Sequence, residues 1–370
     1  MKTIRRLIYR EVLAAIAFVT LGFLALLSFF DLVDELQGIG RGLVGEGYQL
    51  RHALAYVALS IPSHLYDLLP IAVLIGTIFV MARFAQSSEY TILRTSGLGP
   101  WRALRTLLVL GAGFVLLTFA IGDYAAPVSD RSAQLLKARY QGRVTVGQTG
   151  AWLKERQQYT SYAANVSAIT AEGDMRGVRI FEFDTRGFIV SLTEASRGRF
   201  GKDDAWWLED VHRSEFQSQG SSSAPKVERV QIANFRWPTE ISAEMVSVAL
   251  LRPDRMKTLD LFQYTRHLNA NGQSAQRYEV EFWRKVFYPL SCLVMVVLAL
   301  PFAYLHFRSG GITTYVFGGV MIGISFYLLN NMFGFVGTLR DWPPWIASAA
   351  PALIYSLVSL GAFGWLVVRR

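Results

Sequence analysis

The sequence predicts a membrane α-helical protein with six transmembrane helices, three before and three after an inserted all-β domain. Three observations predict it. The 370 residues are 52% hydrophobic, with a mean hydropathy of +0.29. The apolar residues are gathered into runs: 12–33, 54–84, 103–122, 286–305, 312–336 and 345–367. Each approaches or exceeds the roughly 20 residues that cross a hydrocarbon core. Between the third and fourth runs the chain becomes polar, with short alternating segments and frequent turn residues. The expected organisation is an N-terminal membrane half over 1–126, a β-domain over 127–277 and a C-terminal membrane half over 278–370.

The first run follows Lys2, Arg5, Arg6 and Arg10 and is uncharged from Val12 to Phe30. It is too long for the apolar part of a signal peptide. No small-x-small site precedes Asp31, Asp34 and Glu35, so it reads as an uncleaved spanning helix. The second run is longer than one span needs and holds Pro62, His64, Asp67 and Pro70. It is expected to tilt, to kink or to start outside the hydrocarbon. After it comes the turn 83–97. There Ser87 or Ser88 can cap a short helix over about 86–97, with Glu89 favoured in its first turn and Gly97 ending it. Tyr90 and Leu93 give that helix an apolar edge. It suits docking to a partner, or it is an ordinary loop with one helical turn.

In the polar block, 177–183 alternates apolar and polar residues, 184–187 is a turn, and 188–192 begins the next strand. Residues 206–211 follow a turn at 201–204, and 219–225 is a Ser-rich loop. Regular strand–turn spacing without a helical period suggests a sandwich or jelly roll. Segments 128–140 and 258–270 read as helical connectors to the third and fourth spans.

Charge orients the chain. Segments 1–11, 83–105 and 306–311 and the C-terminal tail carry eleven basic residues against Glu11 and Glu89. That excess matches the net charge of the whole chain, +9. Segments 38–52 and 337–344 are nearly balanced. The positive-inside rule therefore expects both termini in the cytoplasm and the β-domain outside. The basic charge reads as an orientation signal and a headgroup contact, not as a nucleic-acid footprint.

Several motifs resemble chemistry without its context. Residues 40–45 match G-x-G-x-x-G but follow a membrane helix rather than a strand, so a flexible outer loop is expected. Residues 223–226 match S-x-x-K inside the Ser-rich loop, without its companion motifs. Asn165-Val-Ser167 is a chance-level glycosylation match. The sequence has no P-loop pattern, and its five histidines have no metal-ligand spacing. The single cysteine, Cys292, excludes an intrachain disulfide. Polar groups within the runs need partners, because an ionisable side chain facing lipid costs about 2.5–3.5 kcal/mol. His64 and Asp67 share a helix face; they line a wet cavity or sit at a solvated helix end. Asn330 and Asn331 bond a neighbouring helix or border a cavity.

Three stretches carry a family resemblance: 69–76 (LPIAVLIG) running on to Ser88, Glu89, Ser96 and Gly97; 120–127 (AIGDYAAP); and 278–290, with its WRKVFYPL end. Together they resemble the LptF/LptG permeases, which export lipopolysaccharide in Gram-negative bacteria. Residues 33–36, 120–127 and 271–274 are closer to the LptG branch.

The resemblance implies a permease subunit and not an enzyme. It places the chain in the bacterial inner membrane with a periplasmic β-jelly roll. The implied partners are an LptF-like permease, an LptB-like ATPase dimer, an LptC-like single-span protein and an LptA-like periplasmic bridge. ATP and Mg would sit on the ATPase, and this chain would bind no cofactor. The implied coupling helix holds Ser88, Glu89, Tyr90, Leu93 and Arg94, with Glu89 on its acidic position. The implied gate lies along the first span, where Gln37 and Gly38 stand where some members carry lysines and Arg41 can supply the charge. Asp34, Arg41, His64, Asp67 and Asn330 are the candidate substrate or gate residues. Two rival readings are a glycolipid-modifying membrane enzyme and an envelope scaffold.

Overall fold

Long apolar runs become long helices, because a backbone in hydrocarbon must satisfy its hydrogen bonds within its own segment. The computed structural model describes residues 2–39, 48–87, 89, 92, 95, 99–141, 151–157, 160–170, 173–201, 205–217, 226–242, 245–246, 253–304 and 312–368. Helix α1 spans Lys2–Leu36 and α2 spans Leu50–Gln86. Helix α3, Pro100–Ala120, runs through a π-helical turn, Ile121–Ala125, into α4, Ala126–Gln141. Strands β1 to β6 follow: Ala151–Arg156, Ser161–Ile169, Met175–Phe183, Ile189–Phe200, Ala205–Gln217 and Lys226–Pro238. Then come α5, Thr258–Ala270; α6, Gln276–Phe287; and α7, Ser291–Ala299, which ends in a 3₁₀ turn, Leu300–Tyr304. Helices α8, Ile312–Leu339, and α9, Pro344–Val368, complete the chain. Among the described residues five helices are long and apolar enough to cross a membrane, or six if α6 and α7 form one span.

Two spans differ from simple expectation. Helix α2 carries Pro62 and Pro70 inside one uninterrupted helix. Its 37 residues would measure about 55 Å at 1.5 Å each, well beyond a core of about 30 Å. The fourth run is not one straight helix: α6 and α7 meet at 46°. Pro289 sits in the break and has no N–H to continue an α-helical ladder. The amides of Leu290, Ser291, Cys292 and Leu293 instead bond carbonyls three residues back.

By contact the chain divides into two units. One comprises Met1–Gln37, Ala53–Asp130 and Glu279–Arg370. The other comprises Gly38–His52 and Arg131–Tyr278. The link between α1 and α2 thus belongs with the β-domain, where the His52 ring stacks on Tyr140 at 3.8 Å.

In the membrane unit, the core joins Ile8, Val12 and Ile16 of α1 to Leu74, Ile78 and Met81 of α2. Leu107 of α3, Met295 and Val296 of α7, and Phe326 of α8 complete it. A Cβ on Gly76 would lie 2.8 Å from the Ile16 backbone, so only glycine lets α1 and α2 cross this closely.

In the β-domain unit, the expected strands at 177–183 and 206–211 fall within β3 and β5, and 188–192 overlaps the start of β4. All six strands lie in one antiparallel sheet in the order β1-β2-β3-β4-β5-β6. The expected β-domain is therefore present. Among the described residues its connectivity is a meander, without the Greek-key crossings of a jelly roll. Consecutive strands lie close in sequence, and such neighbours pair antiparallel with each other. Val166 pairs with Val178, Val178 with Ala195 and Ala195 with Val211, forming a buried row across four strands. The sheet curls. Glu155 of β1 accepts from the Thr239 hydroxyl and, at 3.2 Å, from Glu240 N–H, both just past β6. The indole N–H of buried Trp206 donates to Ile241 O at 2.7 Å.

Expected helical segments 128–140 and 258–270 lie within α4 and α5. Asn165 is buried in mid-β2, which is no acceptor loop. Residues 40–45 and most of 223–226 lie outside the described residues.

Candidate functional site: a polar cluster where three segments meet

Glycine, lysine and tyrosine from separate segments converge inside the membrane unit. The π-helical turn at 121–125 bonds Ala126 N–H to Ile121 O, a five-residue step. Such a bulge shifts the backbone ladder and releases a carbonyl for another donor. Lys285 of α6 takes that position: its ammonium donates to Gly122 O at 3.0 Å. The side chain of Lys285 reaches this carbonyl through the interior, and the residue is only 7% exposed. Gly122 itself faces the ring of Tyr66 so closely that any Cβ would overlap it.

The remaining contacts tie α2, α6 and α8 around that point. Tyr288 donates its hydroxyl to Asp67 O at 2.6 Å, and its ring lies 5.0 Å from that of Tyr66. Arg284 donates to Glu281 at 2.8 Å and to the Asn331 side-chain oxygen at 3.1 Å. A guanidinium shared between a carboxylate and an amide has its charge neutralised and its geometry fixed. The break between α6 and α7 lies within this cluster. The arrangement is a set of interhelical latches on two irregular backbone sites, the π turn and the bend. It contains no nucleophile paired with a base. Among the described residues no group of His, Cys, Asp and Glu is arranged to hold a metal ion.

The sequence-predicted residues fall in different places. His64 does not pair with Asp67; its ring lies 2.6 Å from the Asp31 carboxylate on α1. This is a link across the crossing of the first two helices. Asp67 joins the cluster through its backbone carbonyl. Asn330 is buried, while its neighbour Asn331 contacts Arg284. Asp34 is exposed near the end of α1. Arg41, Ser88, Tyr90, Leu93 and Arg94 lie outside the described residues. Glu89 is helical and exposed, and Ile92 beside it is exposed as well. The Ser87 hydroxyl donates back to Arg83 O at 3.0 Å.

Three features escaped sequence reading: Asp31, the adjacent cations Arg284 and Lys285, and an ion pair at the other end of α1. Asp31 looked like an ordinary span end. Arg284 and Lys285 sit at a span boundary, where cations usually reach for headgroups. The third is the Arg83–Glu11 pair at 2.7 Å, which ties α2 to α1 just before the turn that holds Glu89. A usable signal existed for the lysine, since two adjacent cations cannot both face one way on a helix.

Segments 69–76, 120–127 and 278–290, which carried the resemblance, are therefore also the segments that build or flank this cluster. A family model described as lipopolysaccharide export system permease LptF/LptG matches residues 6–366. The chain belongs to the LptF/LptG family. It is 27% identical to the lipopolysaccharide export system permease protein LptG of Escherichia coli strain K12, covering 94% of this chain and 92% of that protein. It is 24% identical to the protein of that name from Haemophilus influenzae, covering 100% and 99%. As a member of the LptF/LptG family the chain is a membrane permease subunit, with a transport role rather than a catalytic one.

Proposed function

We propose that this LptF/LptG-family chain is one permease subunit of a transporter that extracts lipopolysaccharide from the bacterial inner membrane and passes it to a periplasmic bridge. The observation that carries the reading is the family match across residues 6–366. An LptF-like permease would be its membrane partner. An LptB-like ATPase dimer would bind ATP and Mg, and LptC-like and LptA-like proteins would receive the lipid. The charge asymmetry supports cytoplasmic termini and a periplasmic β-domain. No observation favours the glycolipid-modifying or scaffold reading.

In this reading ATP-driven movement reaches the permease through the turn around Glu89. The Arg83–Glu11 pair supports it, because it ties the approach to that turn to α1. Force applied near Glu89 would then reach α1 and its Asp31–His64 link. Interhelical latches on a π turn and a bend can exchange partners without unwinding a helix.

The deciding experiment is mild-detergent purification from native membranes, with mass spectrometry of co-purifying protein and lipid. A second permease, an ATPase and bound lipopolysaccharide are expected together. A solitary protein that alters a glycolipid would overturn the reading. Glu89→Lys should lower ATPase association and export by tenfold or more while the chain remains inserted and folded; normal export would refute the coupling role.

A further inference from the structure

Strand β1 divides its side chains between two environments. Leu153 and Glu155 are buried on the core face, and Lys154 and Arg156 point to the opposite one. On that outer face a hollow of about 570 Å³ is lined by Lys154, Arg156, Thr160, Ser161, Phe183 and Asp184. Among the described residues neither Lys154 nor Arg156 has an ion pair. The one acid in the lining, Asp184, turns one carboxylate oxygen to its own turn, accepting the backbone N–H groups of Arg186 at 2.8 Å and Phe188 at 2.9 Å. Among the described residues the hollow therefore offers two cations without an ion pair and three hydroxyls, those of Thr160, Ser161 and Thr185.

Apolar surface borders it. Ile189 pairs directly with Phe183 and is 45% exposed. Phe188, next to the lining turn, is 68% exposed. Further along the same face Trp152 stacks on Phe181, with ring centroids 5.8 Å apart, and remains 49% exposed. Cations beside exposed aromatic and aliphatic side chains fit neither a free inorganic anion nor a neutral partner. They fit an amphiphile that carries negative charge on a hydrated head and has apolar chains next to it.

We propose that this outer face of β1–β4 is a binding site for the anionic head of a phosphorylated glycolipid. Lys154 and Arg156 contact its charged groups, Thr160 and Ser161 its sugar hydroxyls, and Phe183 and Ile189 the adjoining apolar part. The proposal rests on the lipopolysaccharide export reading and adds a substrate contact outside the domain core. The edge strand β1 is fixed for this task, because Asn271 accepts the outward N–H of Arg156 at 3.1 Å.

The test is native mass spectrometry and titration of the full chain with its co-purifying complex in nanodiscs. The ligands are lipopolysaccharide, the same material dephosphorylated, inorganic phosphate, and phosphatidylglycerol. Lys154→Gln with Arg156→Gln should weaken lipopolysaccharide binding about tenfold, as loss of charge-assisted contacts would. The loss should shrink in high salt, and dephosphorylated ligand should bind wild type and variant alike. Ile189→Ser should weaken binding without changing the salt dependence. Unchanged lipopolysaccharide affinity in the double variant overturns this inference alone. Failure of the wild-type complex to bind lipopolysaccharide anywhere overturns the export reading instead. If phosphatidylglycerol depends on the two cations and lipopolysaccharide does not, the face is a bilayer contact and the glycolipid assignment falls. Equal dependence for inorganic phosphate would remove the role given to the apolar shoulder.

Discussion

The membrane unit and the β-domain satisfy their polar groups in opposite ways. Within the β-sheet, several polar partners sit on neighbouring strands and follow the register, while Glu155 with Thr239 closes the curl. Arg179 lies opposite Glu194 and pairs with it at 3.2 Å. Ser191 lies opposite Glu182 and donates to it at 2.7 Å. In the membrane unit, partners are far apart in sequence: His64 with Asp31, Arg83 with Glu11, and Lys285 with Gly122. A sheet already holds its neighbours at about 5 Å, so complementary pairs form wherever alternation places them. A span has no such neighbour until helices pack, and few polar groups are tolerated before then. Each interhelical contact is consequently a matter of tertiary structure, and its loss should cost more.

The strongest break of that contrast is Gly122→Leu. The side chain would be driven into the Tyr66 ring, and overpacking typically costs about 1–3 kcal/mol. Loss of assembled, detergent-stable protein in fluorescence size-exclusion chromatography is expected; recovery in Gly122→Leu with Tyr66→Ala would confirm the contact.

Lys285→Met comes next. It strands the Gly122 carbonyl, for which about 1–3 kcal/mol is typical, partly offset by removing a buried charge. Thermal melting of the purified complex should fall by several degrees, with export falling further. An unchanged melt would show that the latch contributes nothing.

The comparison sharpens with paired double-mutant cycles. Arg83–Glu11 should couple by up to about 1 kcal/mol, and the exposed Arg179–Glu194 pair by less than about 0.5 kcal/mol. Larger coupling in the sheet pair would reverse the lesson drawn from the two units.

The smallest effect is one of pH. His267 of α5 is half-buried, and desolvation pulls its pKa below the usual value of 6.5, against the pull of Glu155 and Glu240. The unfolded histidine then takes up a proton that the folded one refuses. β-domain stability is full above about 6.5 and declines as pH falls from there toward the folded value. His267→Gln should flatten that decline below about pH 6.5 in thermal melts; an unchanged slope would remove the histidine from the account.

Much of the fold was legible in residue pattern alone. Alternation at 177–183 was enough to locate β3, because one face of a strand must be apolar to be buried. The extent of the apolar runs was enough to place the helices. The fourth run misled, because uniform hydropathy hides a bend: Pro289 was visible, but only the packed chain shows Tyr288 and Ser291 turning around it. The sheet order was also hidden, since alternation says which face is buried and not which strand lies beside which.

The site was legible only as motifs. The stretch 120–127 marked a special place, yet nothing in its letters reveals a π turn whose freed carbonyl takes an ammonium 163 residues away. His64 was rightly singled out as a polar group in need of a partner, but the partner, Asp31 on α1, could not be read from spacing. Spacing on a helix is local, and Asp31 reaches His64 only because α1 packs against α2.

The sequence by itself determined the apolar runs, the charge asymmetry and the strand faces, because hydrophobic run length and period act on each segment independently; the family was carried by the specific residues of 69–76, 120–127 and 278–290. Only the tertiary structure decided the partners of the buried charges, the bend in the fourth span, the curl of the sheet and the cationic hollow on its outer face. These depend on which distant segments come within about 3 Å of one another, a distance set by packing and not by position in the chain.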